Sequence, residues 1–115
     1  VQHRSFFKVK LERSEPYRRL VAALPCINCG IETRSQCAHP NKGGKGMRLK
    51  TDDRLCFPLC ADQLGRVGCH TQHDQYKLLP EQEIAQAEQD WGMRTRARII
   101  ADGTWPARLP RYCDE

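Results

Sequence analysis

The chain of 115 residues, 39% hydrophobic and with seven cysteines, is long enough for one domain with a modest core, and small enough that a staple helps to hold it. Lys and Arg exceed Asp and Glu by 19 − 14 = 5, and residues 1–25 carry six basic side chains against two acidic ones; this suits a polyanionic partner and serves solubility equally well. No apolar run approaches the ~20 residues of a membrane span, and the N-terminus VQHRSFFKVK lacks the apolar centre of a secretory signal, so a soluble, cytoplasmic protein without membrane contact is expected. It begins at Val1 rather than Met, as a portion trimmed from a longer polypeptide would.

In chain order, FFKVKLE (6–12) alternates Phe7, Val9 and Leu11 with Lys8, Lys10 and Glu12, which predicts a half-exposed strand. Ser14 then has the position of an N-cap, Pro16 falls in the first turn, and YRRLVAAL continues a helix that ends before Pro25. From Gly30 to Leu55, Gly, Lys, Asp and Asn predominate, predicting strand fragments around an ordered loop. HTQHDQYKL, after Cys69, predicts a helical turn or two. Residues 80–101, with Ile84, Ala87, Trp91, Ile99 and Ile100, predict a helix that Gly92 bends or divides; Gly103 stops it, and TWPARLPRYCDE reads as an extended tail. The fold class is therefore α+β. The chain divides into an N-terminal strand and helix (1–25), a cysteine-rich core (26–78) and a helical segment with its tail (79–115).

In a reducing compartment, spaced cysteines are metal ligands more often than disulfide partners, and seven leave no complete set of pairs. Cys26-x-x-Cys29 has the spacing of a zinc knuckle, and Cys60 with Cys69 supplies a second pair across ADQLGRVG, a longer interval than usual but one that glycine lets leave and return. A structural Zn2+ on four thiolates is the expectation; the competing reading makes Cys60 a packed apolar residue and Cys26–Cys29 a redox pair, although the alternating strand and helix pattern of thioredoxin-like proteins is missing. Cys37 and Cys56 read as packed thiols, and they and Cys113 are assigned no chemistry.

His39 stands in QCAHP, and His70 and His73, three apart, share a face if the segment is helical. The order Cys-x-x-Cys, Ala-His39, a Gly/Lys loop, Lys50-Thr51-Asp52-Asp53, Pro58-Leu59-Cys60 and Cys69-His70 resembles the HNH, or ββα-metal, nucleases over residues 26–73, and is most similar to the small phage-encoded members associated with recombination. The resemblance implies a ββα-metal core with additional helices and a metal-dependent endonuclease acting on DNA. It carries the general base to His39, the middle position to Asp53 and the ligand of a catalytic Mg2+ or Mn2+ to His70, with His73 and Asp52 as further ligand candidates. An imidazole titrates near neutrality and can take a proton from water, while a divalent cation neutralises charge on phosphate. It further implies a recombination protein as partner and the cytoplasm of a bacterial host. Many family members have an acidic or histidine ligand directly before the base; here that residue is Ala38.

The loop NKGGKGMRLK offers backbone N–H groups and the charges of Lys42, Lys45, Arg48 and Lys50 for sequence-independent contact with the DNA backbone. It is not a Walker loop, and a solvated loop is the simpler reading. Arg94, Arg96 and Arg98, two apart, do not align on one helical face and are expected in solvent. Two rival functions remain: a non-catalytic zinc module that binds nucleic acid, and a zinc-stapled protein-interaction domain. The catalytic reading requires His39 and His70 to face one pocket.

Overall fold

The computed structural model describes residues 10–42 and 52–114. Most of the predicted strand at 6–12 lies outside them, and its described residues, 10–12, have no regular structure. Ser14 caps α1 (Glu15–Ala22), its side chain accepting the Tyr17 N–H, with Pro16 in the first turn as predicted. Tyr17 and Val21, one turn apart, are the residues that α1 buries.

β1 (Ser35–Ala38) pairs antiparallel with β2 (Phe57–Cys60) in the register Ser35 with Cys60 through Ala38 with Phe57. Pro58 has no N–H to give to a ladder, but its carbonyl accepts from Ile27 at 2.9 Å, so the segment before β1 is lashed to β2 as well. A 3-10 turn (Asp53–Leu55) leads into β2, capped by Asp52 through the Arg54 N–H. α2 (Cys69–Asp74) follows, then α3 (Glu81–Ala101). The whole is a small α+β domain with a two-stranded sheet and three helices among the described residues.

Core forms on both sides of this hairpin. On one side Cys26, Ala38, Phe57, Leu59, Cys60, Cys69 and Trp91 pack together; on the other, Tyr17, Val21, Cys56, Ile99 and Leu109. Each fully buried large side chain contributes roughly 1.5–3 kcal/mol, so clusters this small leave room for a metal clamp to matter. α3 spans both, because Ile84, Glu88, Trp91, Gly92, Thr95, Arg96 and Ile99 recur at helical spacing on one buried face.

Three expectations for this region are corrected. Gly92 does not divide α3; it is there for proximity, since a Cβ would lie 3.0 Å from the Leu55 carbonyl oxygen. Arg96 points inward, donating to the Arg54 carbonyl at 2.8 Å and to Asp114 at 2.7 and 2.5 Å, whereas Arg94 and Arg98 pair with Asp90 and Asp102 on the surface as expected. The tail lacks regular structure but is docked: Leu109 is buried, and Trp105 meets Tyr17 edge-on at 5.0 Å. No helix among the described residues is long and apolar enough to cross a membrane.

Candidate functional site

The cysteines predicted to share an ion do converge. Residues 26–30 form a tight turn in which Gly30, at φ +83°, donates to the Cys26 carbonyl at 2.8 Å, and β2 ends at Cys60 directly beside it. The long interval to Cys69 is a miniature hairpin: Gln63 and Arg66 exchange both backbone hydrogen bonds around Leu64-Gly65, and Asp62 accepts the Gly68 N–H at 2.8 Å. Gly68 is required, because a Cβ there would collide with the Ala61 carbonyl. The chain thus leaves β2 and returns within one turn's reach, placing Cys69 at the start of α2.

The sulfurs of Cys26, Cys29, Cys60 and Cys69 all lie within 4.8 Å of one another, with Cys29 and Cys60 3.9 Å apart. A tetrahedral ion with Zn–S bonds of about 2.3 Å has edges of about 3.8 Å. Donors already face the sulfurs: the N–H of Cys29 to Cys26, the N–H of Cys69 to Cys60 at 3.3 Å, the Asn28 amide to Cys69 at 3.4 Å and Arg66 to Cys29 at 3.7 Å. Such donors stabilise thiolates and orient them toward a cation. The Ile31 backbone N–H, helped by Arg66 and opposed by burial, draws the Cys29 thiol down to about 6, while burial pushes Cys69 up to about 12. This donor set fits Zn2+, and the group can hold a metal such as zinc.

Ahead of β2, Asp53 gathers cations. Its side chain is fully buried and accepts from the Ser14 N–H at 2.7 Å, from Arg18 and from His39 Nε2 at 2.9 Å, with Arg13 Nε 3.4 Å away. Burial raises the pKa of this carboxyl, but His39, Ser14 and Arg18 outweigh it and hold the group below its ordinary value. A carboxylate only accepts, so His39 Nε2 carries the hydrogen and Nδ1 of the neutral ring keeps its lone pair. The side chains of Arg13, Arg18 and His39 are 53%, 34% and 32% exposed. Two guanidiniums and an imidazole are therefore presented to solvent on one buried anion. Sequence spacing gives no hint of either arginine, since they lie 35 to 40 positions before their partner. Asp52, weighed as a cation ligand, is committed to Arg54 at 2.7 Å.

His70 is not part of this cluster. Its Nδ1 meets the Gln36 side chain at 2.8 Å and its Nε2 lies 3.5 Å from Asp74. Side chains alternate along β1, so Gln36 and Ala38 face one way and Cys37 the other. His39 sides with Cys37 and Cys56, whereas His70 sides with Gln36. The two imidazoles thus belong to opposite faces of the hairpin. Nor do His70 and His73 approach one point: His73 is buried between Phe57 and Trp91, with Nε2 2.7 Å from Glu88. Among the described residues, no group of three or more metal donors includes either of them. Neither has, among the described residues, the further donors that the catalytic divalent cation implied by the resemblance would need.

Glu88 was not anticipated. Besides His73, it accepts the N–H groups of Asn41 and Lys42 at 2.7 and 2.8 Å, fixing the base of the basic loop. The Lys42 ammonium is bound to Glu81 at 2.9 Å; Lys45, Arg48 and Lys50 lie outside the described residues. Cys37 and Cys56, read as separate packed thiols, are adjacent, with sulfurs 2.8 Å apart and His39 Nε2 3.6 Å from Cys56. No family model, curated protein or solved structure matches the chain.

Proposed function

We propose that the protein is an endonuclease that hydrolyses DNA phosphodiester bonds, in a small domain of the ββα-metal kind stapled by Zn2+ on Cys26, Cys29, Cys60 and Cys69. The single observation that carries the reading is the cluster at Asp53: a half-exposed imidazole with its tautomer set by a buried carboxylate, flanked by two guanidiniums that can receive a phosphate. The sequence order from Cys26 to His73 supports it independently.

In the mechanism, Arg13 and Arg18 bind the non-bridging oxygens of one phosphodiester and stabilise the charge that grows on them. His39 Nδ1 takes a proton from a water as that water attacks phosphorus in line with the ester P–O bond that breaks; the departing alkoxide takes a proton from solvent, and Asp53 stabilises the imidazolium that forms through Nε2–H until it returns its proton to solvent. The segment carrying Lys45, Arg48 and Lys50 adds sequence-independent backbone affinity. The structural zinc, when bound, supplies a tetrahedral cross-link between the knuckle, β2 and α2 and no chemistry on DNA. The two-imidazole form of the mechanism is given up, because His39 and His70 do not share a pocket; the proposal rests on His39 alone, and no step is assigned to a cation at His70. Phage or prophage recombination, with a recombination protein as partner, is the biological setting that the resemblance suggests.

One observation favours the second reading, a non-catalytic zinc module that binds nucleic acid: His39 and His70 sit on opposite faces of the hairpin. A plasmid-nicking assay separates the two, run in EDTA, Mg2+ and Mn2+ beside a salt titration of DNA binding. The nuclease reading expects nicking that His39→Ala reduces by about 100-fold or more with binding nearly intact. Wild type that binds DNA steeply salt-dependently yet never cuts establishes the binding module instead; absence of any salt-dependent affinity leaves the protein-interaction domain.

A further inference from the structure

We infer that Cys37, His39 and Cys56 form a second metal site, separate from the four-cysteine clamp, that takes a borderline-soft divalent cation such as Zn2+ through two thiolates and one imidazole. Their donor atoms lie within 4.8 Å of one another. For Zn–S of about 2.3 Å and Zn–N of about 2.0–2.1 Å, tetrahedral edges come to about 3.6 Å between S and N and about 3.8 Å between sulfurs. The 3.6 Å from His39 Nε2 to Cys56 Sγ already meets the first. The 2.8 Å between the sulfurs must open by about 1 Å to meet the second, a modest side-chain rotation for Cys37, which is only half-buried. The fourth position falls to water, and the set of two Cys and one His with an open place is one that zinc adopts.

The surroundings point the same way. Cys37 and Cys56 crowd two polar hydrogens into an apolar core: Cys37 donates to the Cys56 sulfur, and Cys56 to the Asp53 carbonyl at 2.8 Å. In the same core the Tyr17 hydroxyl is buried with no hydrogen-bond partner among the described residues. The site shares no residue with the four-cysteine group.

Occupancy has a consequence that rests on His39 being the general base. Binding of the cation releases the two thiol protons to solvent and takes Nε2 as ligand, so the ring's one remaining hydrogen moves to Nδ1. The lone pair that would accept a proton from water is then gone, and Asp53 loses its hydrogen bond. Zinc at this site switches the base off, while zinc at the clamp holds the fold.

The test uses the whole chain, kept reduced without thiols, loaded with excess Zn2+, desalted and assayed for metal per protein by mass spectrometry. A Co2+ titration is followed through its thiolate charge-transfer band. Wild type should retain two equivalents and Cys37→Ser/Cys56→Ser one, with His39→Asn also losing the second. Wild type that saturates at one equivalent overturns the site, as does a double variant that still retains two. Excess Zn2+ should also suppress wild-type nicking at least tenfold and leave the nicking rate of Cys37→Ser insensitive to zinc. A wild type that never nicks defeats the hydrolytic reading alone, and the stoichiometry still decides the site.

Discussion

Replacing Asp53 by Asn tests whether one buried carboxylate organises the solvent-facing cluster. Hydrogen bonds to a charged group contribute about 1.5–3 kcal/mol each, and a naive sum over Ser14, Arg18, Arg13 and His39 would exceed the stability of many domains. Three considerations reduce it. The Asn oxygen still accepts the Ser14 N–H. Arg13 and Arg18 are 53% and 34% exposed and can turn into water, so each loss is nearer the ~0–1 kcal/mol of a surface pair. Only the His39 contact is lost outright, with an amide N–H2 left facing donors. The expected cost is about 2–3 kcal/mol at pH 7, at or below the ~3–5 kcal/mol of breaking a fully buried pair, and corresponds to a fall in Tm on the order of 10 °C. Urea unfolding of both proteins from pH 8 down to pH 3 measures it. Because the folded pKa of Asp53 is depressed, its contribution is fully present above the unfolded value of 3.8 and is lost as pH falls through the lower folded value. The gap between wild type and Asp53→Asn should therefore be level from pH 8 to pH 5 and close below about pH 3.8. A gap under about 0.5 kcal/mol at pH 7, or one that persists undiminished at pH 3, refutes the assignment.

Glu88→Ala should cost more, about 3–5 kcal/mol in urea unfolding, because His73 and the N–H groups of Asn41 and Lys42 are left without their acceptor where His73 cannot reach water; a loss below 1 kcal/mol would show that these groups find other partners. Chelation at pH 7, or Cys60→Ala, should lower stability by several kcal/mol, and Cys60→Ala should hold one equivalent of zinc fewer than wild type, read by a colorimetric chelator during a thermal melt. An unchanged melt would remove the clamp from the fold's support.

What could be read from the sequence was what local chemistry dictates. Ser14, Pro16 and Pro25 bound α1, and the Cys-x-x-Cys turn and the α2 start at Cys69 follow from short-range rules. The misreadings came from partners distant in the chain. Gly92 looked like a helix breaker because its use, admitting the Leu55 carbonyl, lies 37 positions away. Arg96 looked solvated because its acceptors are in the 3-10 turn and the tail. Cys37 and Cys56 are packed thiols as expected, but their adjacency depends on strand register: Cys37 pairs with Pro58, which brings the residue two before Pro58 beside it. Face assignment failed for the same reason, since His39 and His70 each satisfy a motif in one dimension while the hairpin lies between them.

The basic segment 43–51 joins two buried carboxylates rather than two free ends of chain. Glu88 grips the backbone of Asn41 and Lys42 on one flank; on the other, the Asp53 N–H is held by the Glu12 carbonyl at 2.8 Å, while its side chain holds His39, Arg13 and Arg18. Both flanks therefore belong to the packed core. The four-cysteine group, which could hold a metal, takes Cys60 from the end of β2 and Cys69 from the start of α2. It thus sits on the strand whose register sets the Cys37–Cys56 contact.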